Sequence, residues 1–495
     1  MDLASLIKTR LLGKSNDQAL EYQGQWHDWA ALGKTAEEID TALTNAGLKA
    51  GARVALVARN RPSLVAAMLC LMASRRRIVM IYAYQAPTAL AEDLRKSGAQ
   101  AVIADAEDWS VEVRGEIRDA DLLGLSLAGG SGSPVQTVNA TTSAVMTDSI
   151  DEVAIEMLTS GTTGAPKRIP IRWSTINAAA EDLIGTDPDR SAGVCAPPDV
   201  LPFPIGNISG LYYLIPAVGM GRRLVLLERF KLEHWLDAVR KHGSTYAAVP
   251  PAAISMLMDT GLQAGELGKL AAIGVGAAPL DPQLQARFEE RFGVPVLIGY
   301  GATEFCGVVT TWTPDEHKQF IASKRGSVGR ARPGISLRII DRDSGQVCPI
   351  DAIGVIEARV PRIGPEFIRT TDLGRIDADG FLFLHGRADE VINRGGFKVE
   401  PAKITAVLCQ HPAVADAGVV GMADERLGQV PAAAVELRAN QPQPTEAELL
   451  DFLREKLRST EIPAEIRIVK ALPRTPSMKV RLADLRTLFA QPKPE

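Results

Sequence analysis

The stretch Leu158-Thr-Ser-Gly-Thr-Thr-Gly-Ala-Pro-Lys-Arg168 follows directly on an apolar run that reads as a strand, and its composition suits it to holding phosphates. Gly161 and Gly164 let the backbone turn its N–H groups toward a ligand. Thr159, Ser160, Thr162 and Thr163 add hydroxyl donors, and Lys167 supplies positive charge. The stretch departs from the G-x-x-x-x-G-K-[ST] loop that opens a helix. Ala165 and Pro166 separate Gly164 from Lys167, and Arg168 to Trp173 alternates like a second strand. The expectation is a nucleotide held by a loop between two strands. A Ser/Thr/Gly run by itself is as often a flexible turn, so the rest of the chain must decide.

At 495 residues the chain is long enough for several domains, because single cores stop growing near ~250 to 300 residues. With 46% hydrophobic residues, 23% charged residues and a net charge of -4, it falls among ordinary globular proteins and carries no basic field for nucleic acid. Cys70, Cys195, Cys306, Cys348 and Cys409 are scattered with no C-x-x-C or zinc spacing, which predicts a reduced, cytoplasmic setting. The N-terminus, Met1 to Gly13, lacks an apolar core before a small-residue cleavage site, so no signal peptide is expected. The run Leu64 to Ala73 falls short of the ~20 residues of a membrane span and reads as a buried helix.

Residues 32 to 106 alternate in an α/β rhythm: an amphipathic helix from Thr35 to Ala46, a strand from Arg53 to Ala58, a helix from Pro62 to Ala73. A Gly/Ser/Thr/Pro connector runs from Leu125 to Asp151. Further on, a strand from Ala271 to Val275 precedes Asp281, an N-cap followed by Pro282. The helix Gln283 to Phe292 stops at Gly293, and a strand follows from Val294 to Ile298. Such a crossover makes the two strands parallel, so Gly274-Val-Gly-Ala-Ala278 and Gly299-Tyr-Gly-Ala-Thr-Glu304 leave the same sheet edge, where ligands of open parallel sheets bind. Beyond residue 330 strand-and-turn patterns take over (Ser336 to Asp341, Gly354 to Val360, Gly380 to Leu384). From about Gly386 the pattern is that of a small separate domain with a helix from Pro401 to Cys409, strands near Ala415 to Val420 and Ala432 to Leu437, and a helix from Glu446 to Leu457. The fold class expected is α/β: a large N-terminal domain (1–385) of parallel layers with a β-rich subdomain, and a small mobile α+β domain (386–495).

Taken in order, Ser160-Gly-Thr-Thr-Gly-Ala-Pro-Lys167, Tyr300-Gly-Ala-Thr-Glu304, Thr370-Thr-Asp-Leu-Gly374, Gly386-Arg-Ala-Asp-Glu-Val-Ile392 with Gly395-Gly-Phe-Lys398, and Pro473-Arg-Thr-Pro-Ser-Met-Lys479 resemble the adenylate-forming superfamily of acyl- and aryl-CoA synthetases. The resemblance covers most of the chain. It implies two half-reactions: a carboxylate attacks the α-phosphate of ATP to give an acyl-adenylate and pyrophosphate, and a thiol then displaces AMP. ATP, Mg²⁺ and coenzyme A are the implied cofactors and co-substrates, and the acid is an aromatic or medium acyl carboxylate. No nucleic acid or membrane span is expected, and a homodimer is left open.

The resemblance also implies residue roles. Thr159 to Gly164 wrap the β- and γ-phosphates, with Lys167 on a mobile flap. Gly276, Ala277, Ala278 and Pro279 form one adenine wall, while Tyr300 and Gly301 form the other. Thr303 reaches the α-phosphate and Glu304 holds Mg²⁺, a hard ligand for a hard cation. Asp372 and Arg387 meet the ribose, Lys479 carries adenylation, and Asp389 is the hinge of a rotating small domain. Gly395, Gly396 and Lys398 line the pantetheine tunnel in the second orientation. Gly274, Gly299, Asn207, Phe305 and Cys306 bound the acyl pocket. Tyr212 and Tyr213 could line an aryl pocket, although aromatics followed by Leu214 and Ile215 are more often core, and His234 and His242 read as solvated. Two usual glycines are replaced, by Thr371 and Met478, and no histidine falls in Phe203 to Gly210. Two alternatives therefore stay open: an adenylating enzyme with a carrier-protein thiol or an amine as acceptor, and a nucleotide-binding protein with impaired catalysis.

Overall fold

The computed structural model describes residues 2–13, 15–141, 152–158, 168–185, 196–439, 441–475 and 478–491. Thr159, Ser160, Gly161, Thr162, Thr163, Gly164 and Lys167 lie outside the described residues. The strands on either side of them, Val153–Leu158 and Arg168–Arg172, are antiparallel partners with Leu158 opposite Arg168.

The first sheet has seven strands. Its centre is parallel, running Leu123–Leu127, Ala101–Asp105, Arg53–Ala58, Arg77–Tyr82 and Val153–Leu158, with an antiparallel strand at each edge. The continuous apolar runs of these strands are what a sheet covered on both faces demands. The helix Pro62–Ala73 starts with proline at its first turn and is buried along nearly all its length, so its apolar sequence belongs to the core. Among the described residues no helix is long and apolar enough to cross a membrane.

A second sheet of nine strands begins parallel, with Tyr246–Val249, Ala272–Val275 and Val296–Ala302. The helix Pro282–Phe292 makes the crossover. Asp281 caps it by accepting from the Gln283 and Leu284 N–H groups, and Gly293 ends it with φ +67°. From Gly307–Thr311 onward the same sheet continues antiparallel through Ser327–Ala331, Phe381–Arg387, Phe367–Ile376, Gly354–Arg359 and Ser336–Ile340. The β-rich part thus extends the parallel sheet. The strand Phe367–Ile376 was not expected from sequence, because its Arg369-Thr-Thr-Asp372 centre lacks the apolar alternation of a half-buried strand. A five-stranded sheet of residues 392–469 builds the small domain around its own core of Ile392, Ile404, Val419, Ala433, Leu449 and Leu453.

One buried side chain joins the first sheet to the segment expected to bound the acyl pocket. Asn60, just past the strand Arg53–Ala58 and 1% exposed, donates to the carbonyls of Phe203 at 2.9 Å and Leu227 at 2.8 Å, and accepts from the Ile205 N–H at 2.8 Å. Replacing it with alanine strands three buried backbone groups. At ~1 to 3 kcal/mol for each unsatisfied buried group, Asn60→Ala should cost at least about 3 kcal/mol. The urea midpoint of the large domain should fall accordingly; an unchanged midpoint would contradict this.

Candidate active site

The sheet edge anticipated from the crossover carries the site. Tyr300 lies at the end of Val296–Ala302 and is 8% exposed, and its Oη donates to Asp372 Oδ2 at 2.6 Å across a separation of 72 residues. Burial first, then the Asp372 carboxylate, pushes the Tyr300 hydroxyl pKa far up, so it stays a donor. Asp372 sits opposite Arg387 in the strand ladder, with Arg387 Nη1 3.5 Å from Asp372 Oδ1. Arg387 is itself clamped by Asp389, Nε to Oδ1 at 3.0 Å and Nη2 to Oδ2 at 2.9 Å. The two oxygens of Asp372 therefore meet a phenol and a guanidinium.

Thr371, which stands where glycine was expected, is plain strand backbone: its carbonyl accepts from the Ala388 N–H at 2.7 Å, and Thr370 Oγ1 accepts from the Asp372 N–H at 3.1 Å. No glycine is needed there. Met478 is different, since it takes φ +64°, the left-handed conformation that glycine adopts without cost. Its N–H donates to the Thr475 carbonyl at 2.8 Å and its side chain packs on the core of the large domain. The loop is closed by the Thr475 N–H donating to the Lys479 carbonyl at 2.8 Å, and is held to the small domain by Arg474, 2.8 Å from Asp416.

This loop carries Lys479, half-buried, into the field of Asp372, Arg387 and Glu304. Burial lowers its pKa below the ordinary 10.5, while Asp372 and Glu304 oppose the shift. The structure thus gathers Tyr300, Asp372, Arg387, Glu304 and Lys479 from both domains. Glu304 is exposed. Ala277 and Cys306, on neighbouring loops, also have positive φ, +72° and +52°. Backbone of this kind costs of order 1 kcal/mol or more and concentrates at functional sites.

Other expected residues behave differently. Gly395, Gly396 and Lys398 lie on an exposed hairpin away from this cluster, with Phe397 62% exposed. Phe305, at 0% exposure, backs Tyr300 edge-on at 6.3 Å, so it supports the wall from behind. Cys306 is buried and its thiol is pushed up to about 11 by burial, which leaves it un-ionised and unreactive. Asn207 is the N-cap residue of the helix Ile208–Met220 but its side chain makes no cap hydrogen bond. Gly274 and Gly299 sit in the parallel strands beside the site. Tyr212 and Tyr213 are half-buried, Tyr213 packing against the core of the first sheet and Tyr212 lining a small apolar void, and His242 is not solvated: its Nε2 lies 2.9 Å from Glu21 and its side chain is 11% exposed.

Two arginines outside the expected segments were missed. Arg362 donates to the Phe305 carbonyl at 2.9 Å and the Val308 carbonyl at 3.1 Å, bracing the Thr303 to Gly307 turn, and Arg332 donates to Tyr212 Oη at 2.6 Å. Both act across long sequence separations, where no local pattern signals a partner.

Met478→Gly relieves left-handed strain of about 1 kcal/mol within the small domain and removes the side chain that seats it on the large one. The two domains should separate more readily, read as faster proteolysis at the Arg387–Glu390 junction with no fall in the melting temperature of the small domain. Unchanged proteolysis would refute the seating role.

Comparison with known proteins places these features. Residues 8–366 match the family of AMP-binding enzymes, and residues 403–479 match the AMP-binding enzyme C-terminal domain. The 2-succinylbenzoate–CoA ligase of Bacillus subtilis is 33% identical over 352 residues, 67% of this chain and 68% of that protein. The 2-succinylbenzoate–CoA ligase of Geobacillus kaustophilus is 30% identical over 480 residues, 92% of this chain and 91% of that one. The structure of o-succinylbenzoate–CoA synthetase from Bacillus subtilis with its acyl-adenylate intermediate superposes with a TM-score of 0.76 at 25% identity, covering 97% of this chain and 98% of that one.

Proposed function

The chain belongs to the AMP-binding enzyme family, and from that premise we propose that it is an ATP-dependent carboxylate–CoA ligase. It forms an acyl- or aryl-adenylate with release of pyrophosphate, then a CoA thioester with release of AMP. The observation that carries this reading is the convergence of Lys479, from the small domain, on Asp372 and Glu304 of the large one.

Attack of one anion on another needs neutralised charge and alignment more than a protein nucleophile. The Lys479 ammonium lies between the carboxylate and the α-phosphate, offsetting their repulsion and stabilising the charge that develops as the new P–O bond forms. Asp372, oriented by Tyr300 and Arg387, accepts hydrogen bonds from the ribose hydroxyls and fixes the nucleotide. The ring of Tyr300 and the left-handed Ala277 backbone leave a slot for adenine, and Thr303 faces the α-phosphate. Thr159 to Gly164 and Lys167 hold the leaving pyrophosphate. Glu304, whose exposed carboxylate is a hard oxygen ligand, would hold Mg²⁺ beside the phosphates. Mg²⁺ held there supplies charge neutralisation on the phosphates. The exposed Gly395 to Lys398 hairpin serves the thiol half-reaction after the small domain rotates about Asp389, the start of a domain that we place at residues 386–495. A cytoplasmic location, where ATP and CoA are held, agrees with Cys70, Cys306, Cys348 and Cys409 being free thiols.

The test is carboxylate-dependent exchange of labelled pyrophosphate into ATP across a panel of acids. Lys479→Ala should lower exchange by roughly 10² to 10³-fold while sparing thioester formation from supplied acyl-adenylate. Absence of exchange with every acid, or full exchange by the variant, would sink the reading. The cationic form of Lys479 is the active one, so kcat/KM for adenylation should fall as pH rises through a pKa below 10.5. A profile flat up to that pH would argue against it.

A further inference from the structure

Three tyrosines gather beside the adenine loop, where the acyl group of the proposed reaction lies. Tyr212 and Tyr213 come from the helix Ile208–Met220, and Tyr246 opens the strand Tyr246–Val249. Tyr213 stacks on Phe203 at 5.7 Å, and Tyr212 stands edge-on to Tyr213 at 6.0 Å. Missing side chains make room for two of the three rings. A Cβ on Gly274 would fall 2.0 Å from Tyr246 Oη, and a Cβ on Gly307 would fall 2.8 Å from the Tyr212 ring. Gly274 leads directly into Val275-Gly276-Ala277, so the Tyr246 hydroxyl lies on the strand that feeds the adenine wall.

Tyr246 is 47% exposed, although Ala247, Ala248 and Val249 beyond it are buried. Its hydroxyl end is nevertheless packed close over Gly274, and burial raises its pKa. Its hydroxyl is hydrogen-bonded to that of Tyr213. Either hydroxyl can donate to the other, and whichever does, the bond uses one hydrogen of the two. One hydroxyl hydrogen of the pair is left over to donate, Tyr246 is the more exposed of the two, and no further acceptor appears for it among the described residues.

Resting on the ligase reading, we propose that Tyr246 is a specificity-determining residue, donating its hydrogen bond to an uncharged acceptor (a hydroxyl, ether or keto oxygen) at the end of an aromatic acid remote from the reacting carboxylate. The flat rings of Tyr212, Tyr213 and Tyr246 suit an aryl group. The apolar void behind Tyr212, lined by Ile176, Leu183, Leu211 and Cys306, has a volume of about 10 Å³, room for no more than one water and none for an alkyl chain. Asp199, whose negative charge acts on both hydroxyls of the pair, is itself balanced by Arg222 at 2.7 Å, so the pair meets no unpaired charge from it and suits an uncharged acceptor.

The experiment measures pyrophosphate exchange and CoA-dependent AMP release for benzoate and cinnamate, their 4-hydroxy and 4-methoxy derivatives, terephthalate and octanoate. The wild-type enzyme should prefer the hydroxy or methoxy acid by about tenfold or more in kcat/KM, the worth of one buried hydrogen bond. Tyr246→Phe keeps the ring over Gly274 but removes the partner of the Tyr213 hydroxyl, so its melting temperature is measured first and both proteins are compared where both are folded. The substitution should erase the preference through KM while leaving the unsubstituted ring acid unchanged. Equal use of substituted and unsubstituted acids, retention of the preference by Tyr246→Phe, or a preference for terephthalate or octanoate would overturn the inference and leave the ligase reading standing. Exchange with no acid in the panel would overturn both.

Discussion

The hydrogen bond from Tyr300 Oη to Asp372 Oδ2, 2.6 Å long, ties the parallel half of the nine-stranded sheet to its antiparallel half. Tyr300 ends the last parallel strand, and Asp372 lies on a strand that reaches it only because the sheet continues through four antiparallel pairings. That bond aims the Asp372 carboxylate at one place, between a phenol and the Arg387 guanidinium. The lysine loop of the small domain is then drawn to a carboxylate whose position is already fixed. An isolated acidic side chain on a loop would supply the same charge without the same geometry.

The strained backbone follows the same logic. Ala277, Cys306 and Met478 adopt left-handed conformations that most side chains avoid, and all three lie on loops around the cluster. At Met478 the side chain that makes the conformation costly also packs on the core of the large domain. The strain is confined to the small domain, whereas the contact exists only while the domains are docked. Met478 therefore acts on the docked orientation, and the loss of the usual glycine does not by itself mean a loss of function.

Much of this was legible in the sequence because it is local. The Asp281 cap, Pro282 and Gly293 marked the crossover helix, and the crossover in turn placed two glycine loops at one sheet edge. The motifs around Tyr300, Asp372 and Lys479 could be read from their residue types. What stayed hidden depends on partners far apart in the chain. The strand character around Asp372 comes from its ladder neighbours, and the burial of His242 from Glu21. Tyr246 left one faint trace: a large polar ring heading a strand of small residues, next to a strand that carries Gly274. Large beside small is a packing signal that becomes readable once the pairing of the strands is known.

The central claim is that a carboxylate oxygen attacks the α-phosphorus while Lys479 and Asp372 hold the reactants. Label transfer tests it most directly. With an acid carrying ¹⁸O in both carboxylate oxygens, the oxygen that bridges acyl carbon and phosphorus leaves with AMP when the thiol attacks. Mass spectrometry of the AMP should therefore find one ¹⁸O per turnover. AMP free of label, or label found in phosphate or pyrophosphate, would contradict the account.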